Sequence, residues 1–312
     1  MAVNNKMINN PSESKASQTY FIDRNIIYKL IAFGALYFPE PAANGIGKAI
    51  AFTLCFFIKR MREEQYKNIR IILGKDANEK DVRRIAQRIW QNWGRYLLDF
   101  FRLFRLDKNN LNTFVSEIKG REIIERALKK GRGAIIITAH LGNWELGALC
   151  LQLTGFKTNV IKSPYESDNI NTTLGKVREK NKINTIHIRK NDPTFILRIH
   201  EALKKNELVT IQGDRDIERK GMLIDFFGKP AYFPRGPMLI AMKTKSPVIP
   251  AFTVMDNNGL YHTVAEEEIE IEDTGDEERD LKINMERMVM VFEQYVRKYP
   301  EQWYNFYYFW EK

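Results

Sequence analysis

A histidine and a glutamate in the segment AIIITAHLGNWELGA are the residues of this sequence best suited to chemistry. The apolar run at 134–138 predicts a strand that ends just before His140, and a helix is predicted to begin near Asn143. Functional side chains of α/β folds collect at the carboxyl ends of such strands. On one regular helix, residues at this spacing point in different directions, so His140 and Glu145 meet only if His140 lies in the turn before the helix.

This placement predicts a general base. We expect Glu145 to accept one imidazole N–H of His140 and to fix its tautomer, which leaves the other ring nitrogen free to take a proton. The pair would supply the base and the orienting group of a catalytic triad, without a protein nucleophile. The alternative is a loop histidine that makes only a local hydrogen bond.

The elements that must position this pair alternate between strands and helices from residue 120 onward. The alternation predicts an α/β fold with a mostly parallel central sheet flanked by helices. Strands are predicted at 134–138, 157–161, 183–188, 207–211, 222–227 and 247–254. Helices are predicted at 144–153, 167–181, 192–204, 235–244 and about 278–298. The acidic run AEEEIEIEDTGDEERD (265–280) is expected to be an exposed strand and loop.

The N-terminal part has a different composition. Residues 1–20 are polar, lack the features of a signal peptide and are predicted to be a disordered tail. The stretch 26–58 is the most apolar, but its pieces are shorter than the roughly 20 residues of a spanning helix. With the basic flank KRMREEQYKNIR, it predicts a helical membrane-interfacial segment over 21–75. The alternative is a buried helical hairpin of a soluble core.

The remaining residues, 76–312, are predicted to form the α/β domain. Its first element, 79–106, has apolar residues three and four apart, which predicts an amphipathic helix that packs on the core or extends the membrane-facing surface. The net charge of +10 and the pI near 9.4 indicate an anionic partner: nucleic acid, an acidic membrane or an acidic carrier protein. No phosphate-binding glycine loop, G-x-S-x-G elbow or metal-binding spacing is present, so we expect no cofactor and no metal.

The segment AHLGNWELGA resembles the His-x4-acid box of lysophospholipid and glycerolipid acyltransferases. With Glu as the acid and Asn-Trp before it, the segment most resembles the bacterial lipid A late (lauroyl/myristoyl) acyltransferase family. The resemblance covers roughly 25–305. Four further blocks carry it in order: LGKVREKNKINTI, IQGDRD, IDFFGKPAYFPRGPMLIAMKTKSPVIPAF and RKYPEQW.

The resemblance implies an acyltransferase that moves a fatty acyl chain from a thioester on acyl carrier protein to a hydroxyl of a lipid A precursor or related glycolipid. The implied location is the cytoplasmic face of the inner membrane, with a peripheral or monotopic attachment. The implied partners are therefore acyl carrier protein, an anionic lipid or glycolipid acceptor and the membrane, and no nucleic acid is expected. Two further site residues, Arg178 and Asp214, stand where the family has an arginine and an aspartate.

The predicted substrate-binding residues surround this pattern. They are Asn143, Arg178, Asp214, Arg215, Arg235 and Gly236. Arg215 is expected to contact phosphates or the acidic carrier, and the helix start at Arg235–Gly236 is expected to favour an anion. The alternatives are a solvated helix face for Arg178, a turn for Asp214 and a surface charge for Arg215.

The end of the chain, PEQWYNFYYFWEK, departs from the family pattern because it contains no histidine or arginine after the tryptophan. Its aromatic residues could form an interfacial patch or cap the core. The departure leaves open a lysophospholipid or another envelope lipid as the acceptor. A different class of function, a non-catalytic membrane-surface protein that binds anionic lipids, explains the charge and the apolar segment but not the ordered blocks.

Overall fold

The computed structural model describes residues 25–75, 77–162, 175–176, 178–188 and 192–311. The predicted tail at 1–20 lies outside the described residues, as does most of the helix predicted at 167–181. The N-terminal part is helical, as the sequence predicted. Its helices are α1 (Asn25–Tyr37), α2 (Glu40–Phe57), α3 (Lys59–Leu73) and α4 (Glu79–Arg102), the last followed by a 3₁₀ turn at Leu103–Arg105.

Helices α2 and α4 pack closely because each contributes a glycine to their contact. A Cβ atom added to Gly94 would lie 3.1 Å from the Cβ atom of Ala51 and 3.2 Å from the carbonyl oxygen of Gly47. A Cβ atom added to Gly47 would lie 2.7 Å from a methyl group of Leu98. The missing side chains therefore set the distance at which the N-terminal helices pack on α4.

A mixed α/β domain follows. Its elements in chain order are β1 (Val115–Lys119), α5 (Arg121–Leu128), β2 (Ala134–Thr138), α6 (Trp144–Leu153), β3 (Thr158–Lys162), β4 (Asn184–His187), α7 (Thr194–Lys204), β5 (Leu208–Gln212), β6 (Met222–Phe226), β7 (Lys229–Phe233), α8 (Gly236–Thr244), β8 (Val248–Met255), β9 (Tyr261–Ala265) and α9 (Glu277–Lys298). Seven of the strands form one sheet in the order β1-β9-β8-β2-β5-β3-β4. All neighbours are parallel except β8 and β9, which confirms the predicted, mostly parallel sheet.

The two faces of the sheet carry separate apolar clusters, because successive side chains of a strand point to opposite faces. Along β2, Ile135 and Ile137 pack with Val248, Phe252 and other residues on one face. Ile136 packs on the other face in a smaller cluster with residues of α5 and α6. Both faces of β2 are thus covered, as a parallel sheet requires.

Three sequence predictions need correction. The strand predicted at 222–227 does not join the main sheet, because β6 pairs with β7 in a separate antiparallel hairpin. The acidic run over 265–280 is not a strand after Ala265, and α9 already begins within it at Glu277. The amphipathic helix predicted over 79–106 ends at Arg102 and tightens into the 3₁₀ turn.

Within the described part of the chain, no single helix is both long and apolar enough to cross a membrane. Helices α2 and α3 reach that length and composition only when taken together, and they are bent by 92° relative to each other.

Gly142, in the turn after β2, offers a test of this packing. Its φ is +65°, and an added Cβ atom would lie 2.0 Å from the carbonyl oxygen of Thr253. Gly131 has a similar φ of +72° but open space around it. We expect Gly131→Ala to cost about 1–2 kcal/mol from the left-handed backbone alone, and Gly142→Ala to cost at least about 2 kcal/mol more.

Denaturant unfolding of the two variants measures this difference in the free energy of unfolding, provided that both variants show the same dependence of that free energy on denaturant concentration. Equal losses of stability would show that Gly142 is not held against Thr253.

Candidate active site

The site is built around a hydrogen-bonded pair, His140 and Asp214. Nδ1 of His140 lies 2.7 Å from Oδ1 of Asp214, and the backbone N–H of His140 donates to Oδ2 of the same carboxylate at 3.0 Å. The indole N–H of Trp303 also points at Oδ2, at 3.4 Å. Since an ionised carboxylate only accepts hydrogen bonds, this geometry places the proton on Nδ1 and leaves Nε2 as the basic nitrogen.

Strand register explains why these two residues meet. Strands β2 and β5 are adjacent and parallel, and Thr138 pairs with Gln212 at their carboxyl ends. His140 and Asp214 each follow two residues later, so the same edge of the sheet receives both. The N–H of Gly213 donates to the carbonyl of Thr138 at 2.9 Å, which extends the strand pairing almost to the site.

The prediction that Glu145 orients His140 is wrong in its geometry. Glu145 lies in the first turn of α6 and accepts two hydrogen bonds from Nη2 of Arg178, at 2.7 and 2.8 Å. Nζ of Lys162, at the end of β3, lies 3.6 Å from Oε1 of Glu145. The carboxylate thus faces Arg178 and Lys162, and the orienting position on the imidazole belongs to Asp214.

The two carboxylates differ in their surroundings. Burial alone would raise the pKa of Glu145, but Arg178 and Lys162 hold it at about 2. Burial lowers the pKa of Lys162 to about 8, although Glu145 opposes that effect. Burial would also raise the pKa of Asp214, and its contacts with His140 hold that pKa below its usual range. Both acids are therefore ionised near neutral pH.

The pKa of His140 is lowered from its ordinary value. Burial is the main cause, since only 19% of its side chain is exposed, and the guanidinium of Arg215 adds to the effect. The carboxylate of Asp214 opposes both. A lowered pKa keeps the imidazole neutral at pH 7, which is the form that can accept a proton.

The turn that carries His140 is fixed from two sides. The side chain of Asn143 accepts from the N–H of Leu146 at 3.0 Å and caps the N-terminus of α6, which is a structural use of a residue predicted to bind substrate. The C-terminal tail holds the other side, because the N–H of Tyr304 donates to the carbonyl of His140 at 3.0 Å. Trp303 forms a bridge with Leu141.

A cavity of about 370 Å³ opens beside His140. It runs between the sheet and one face of α6, whose ten residues span roughly 15 Å. Its walls are mainly apolar. Trp144 lies at the His140 end, and Phe156 with Arg121 lies at the far end, where the Arg121 guanidinium is 4.9 Å from the Phe156 ring centroid.

Of the other residues predicted to bind substrate, some line the cavity and some do not. Arg178 and Arg215 line the cavity, and Nη2 of Arg215 donates to the carbonyl of Tyr304. Arg235 and Gly236 stand at the start of α8, where Arg235 pairs with Glu278, and neither lines the cavity. The structure therefore does not bring the predicted anion site of α8 to His140.

Two side chains of the site were missed in the sequence. Lys162 ends the apolar strand TNVIK, and a cation at the carboxyl end of a buried strand is a signal that could have found it. Trp303 lies in RKYPEQW and was predicted only to belong to an aromatic tail that forms an interfacial patch or caps the core; its contact with Asp214 joins residues far apart in the chain. No local pattern indicates such a contact.

An oriented imidazole thus lies at the end of a parallel strand and lines a mainly apolar cavity, an arrangement that can accept a proton beside an apolar ligand. The comparison with known families is specific: the chain belongs to the bacterial lipid A biosynthesis acyltransferase family, whose model matches residues 13–312. This confirms the resemblance inferred from the motif blocks and places the chain among lipid acyltransferases.

Curated relatives point to the same chemistry. The chain is 26% identical over 200 residues to a phosphatidylinositol mannoside acyltransferase of Mycobacterium tuberculosis, a match that covers 63% of this chain and 62% of that protein. It is 23% identical over 198 residues to the enzyme of the same name from Mycolicibacterium smegmatis, covering 63% of this chain and 64% of the relative. The match thus spans less than two thirds of the relatives' length.

The carboxylates can be separated by matched amide substitutions. Asp214→Asn removes the charge that stabilises an imidazolium at His140, so we expect kcat to fall by about 10³–10⁴-fold with little loss of stability. Glu145→Gln leaves Arg178 and Lys162 buried without their anion and is expected to destabilise the fold by about 3–5 kcal/mol. Thermal unfolding and acyl-transfer kinetics of both variants give the comparison.

Two outcomes decide the roles. A double variant, His140→Ala with Asp214→Asn, should be no slower than His140→Ala alone, since the two residues act as one unit. If Glu145→Gln kept full stability and lost as much turnover as Asp214→Asn, Glu145 would regain the orienting role.

A second prediction concerns pH. Because Arg215 lowers the pKa of His140, Arg215→Gln should raise that pKa and move the acidic limb of kcat/KM to higher pH. The matched control is Arg219→Gln, in the same loop, whose guanidinium donates to the carbonyl of Trp310 instead. If the pH profile moved equally in both variants, or in neither, Arg215 would not be a cause of the lowered pKa of His140.

Proposed function

We propose that this protein is an O-acyltransferase that moves a fatty acyl chain from a thioester, carried by acyl carrier protein, to a hydroxyl of a lipid A precursor or related glycolipid. The observation that carries the proposal is the His140–Asp214 pair, with His140 in the wall of a mainly apolar cavity. An apolar cavity of this kind matches the chemistry of a fatty chain, and an oriented imidazole matches the activation of a hydroxyl.

The reaction follows from the roles of these groups. Nε2 of His140 removes the proton of the acceptor hydroxyl. At the same time the hydroxyl oxygen attacks the thioester carbonyl carbon. Asp214 stabilises the imidazolium that forms. The tetrahedral intermediate then collapses, the carbon–sulfur bond breaks, and the thiolate leaves with the proton that His140 returns. An ester and a free thiol result, and base assistance of this kind contributes about 10²–10⁴-fold.

The acyl chain is proposed to lie along α6. Small side chains line this part of the cavity, so a straight chain has room between the helix and the sheet. They include Gly147, Ala148, Cys150, Ala251 and Ala265. Arg121 and Phe156 would then meet the end of the chain, because they lie at the opposite end of α6 from His140.

The acceptor is proposed to enter past the C-terminal tail. Trp303, Phe309 and Trp310 are buried, so the tail caps the core, which is one of the two alternatives left open by its sequence. Tyr304 and Phe306 nevertheless line the cavity with Trp144. The tail that departs from the family pattern thus contributes to the acceptor's surroundings. The names of the mycobacterial relatives favour a glycolipid over a lysophospholipid, the alternative acceptor.

The membrane is proposed to contact the N-terminal helices on the cytoplasmic side. Helices α1 and α2 expose large apolar side chains, and a group of such side chains is uncommon on a surface that contacts only water. They include Leu30, Phe33, Tyr37, Ile50, Phe56 and Phe57. This supports a peripheral or monotopic attachment. We likewise propose the division of the chain into a membrane-interfacial segment at 21–75 and an α/β domain at 76–312. A purely lipid-binding role would leave the His140–Asp214 pair without a use.

Mass spectrometry of a transfer assay tests the function. We expect the purified protein, given acyl carrier thioester and a lipid A precursor, to produce the acceptor with one added ester-linked chain. His140→Ala should abolish the product, while His200→Ala, on the exposed face of α7, should not. Coenzyme A thioesters in a parallel series identify the donor.

Release of free fatty acid without an acylated lipid would indicate a hydrolase and overturn the proposal. A folded His140→Ala variant with near-normal transfer would overturn the mechanism. Transfer to a lysophospholipid in preference to every glycolipid offered would replace the acceptor and keep the chemistry.

A further inference from the structure

A second cavity, of about 250 Å³, lies where the end of α1, the start of α2 and the end of α4 meet. Its walls share no residue with those of the cavity at His140. Apolar side chains of α1 and the following turns form part of it, including Leu36, Phe38 and Phe114. Charged side chains form the rest, namely Glu40, Arg102 and Arg105. We call it the Arg102 cavity.

Arg102 is the central group of this cavity. Its side chain is only 8% exposed. Nη1 donates to Oδ1 of Asn44 and to Oδ1 of Asp99, both at 2.8 Å. Nη2 is buried and has no hydrogen-bond partner in the part of the chain that the structure describes. A buried guanidinium N–H without an acceptor is unfavourable, and a ligand that accepts from it would relieve this.

The charged groups around Arg102 have one uncompensated positive charge, which one anion would neutralise. Asp99 accepts from Arg95 at 2.6 Å, from Arg102 and from the hydroxyl of Tyr261 at 2.9 Å, so both of its oxygens are engaged. Glu40 is paired with Arg95 at 2.8 Å and lies 3.8 Å from Arg102. With Arg105, three guanidinium groups face two carboxylates, a net charge of +1. Among the described residues, Arg105 makes no ion pair.

The surroundings of the cavity indicate what carries that anion. Phe38 lines the cavity and is 44% exposed. Phe33 and Tyr37, on the same helix end, are also exposed, so the cavity opens beside an uncovered apolar surface. The ligand that fits both features has one negative charge and an apolar part.

We propose that the Arg102 cavity binds the phosphodiester group of a bilayer phospholipid, with the lipid chains along the exposed end of α1. A phosphodiester carries one negative charge and presents two oxygens to guanidinium groups, which bind such oxygens in fixed geometry. The bound lipid would accept from Nη2 of Arg102 and from Arg105 at the rim. It would also fix the height of the N-terminal helices in the membrane interface. The proposal does not depend on the transferase activity.

The test uses a charge reversal at the rim. Arg105→Glu spares Arg102, whose loss would disturb the Asp99 network and the fold. The matched control is Lys108→Glu, which makes the same charge change in the same connection, is exposed and does not line the cavity. Native mass spectrometry and flotation with phosphatidylcholine vesicles, with and without phosphatidylglycerol, measure bound lipid at a salt concentration that screens surface attraction.

We expect wild type and Lys108→Glu to retain one phospholipid, and Arg105→Glu to lose it with about a tenfold drop in affinity for the phosphatidylglycerol vesicles. Equal loss in both variants would show general surface attraction and overturn the site. Inorganic phosphate is added separately in thermal unfolding. Stabilisation by phosphate that depends on Arg105, without retained phospholipid, would identify a free anion and overturn the lipid assignment.

Discussion

The hydrogen bond between His140 and Asp214 exists because β2 and β5 are neighbouring parallel strands in matched register. The two strands end at paired residues, Thr138 and Gln212, and a single residue separates each strand end from His140 or Asp214. Parallel strands need crossover connections, so this pairing is made between segments about seventy residues apart in sequence. The tail adds a third distant segment, since Trp303 contacts Asp214 and Tyr304 holds the carbonyl of His140. The imidazole of His140 is therefore positioned jointly by β2, β5 and the C-terminal tail.

Glu145 anchors the helix that follows the His140 turn. It lies at the N-terminus of α6, where a negative charge is favoured, and its contacts with Lys162 at the end of β3 and with Arg178 before β4 tie that helix to this side of the sheet. Because α6 begins directly after the His140 turn, an anchor on its first turn also fixes the turn. Asp214 thus contacts His140 directly, whereas Glu145 anchors the first turn of the helix that follows His140.

The sequence was sufficient for the bounds of β2, for the loop position of His140 and for the family. The strand at 134–138 and the helix that begins at Trp144 follow from local patterns, and those patterns are the ones observed. The partner of His140 could not be predicted from spacing, because the order of strands in a sheet is a tertiary property. In the chain, β3 follows β2, but in the sheet β5 lies between them. The nearest acid in sequence was therefore not the nearest acid in space.

Helix α4 links the two ends of the molecule. One of its faces contributes Trp90, Trp93 and Leu97 to the cavity at His140. Another carries Arg95, Asp99 and Arg102, and the two arginines contact Glu40 and Asn44 of α2. Both sets follow the helical spacing of three and four residues. A rigid helix with these two faces fixes the distance between the apolar N-terminal surface and the basic nitrogen. The polar contacts of Arg95 and Arg102 with α2 therefore join the N-terminal helices to the same helix that forms part of the cavity wall at His140.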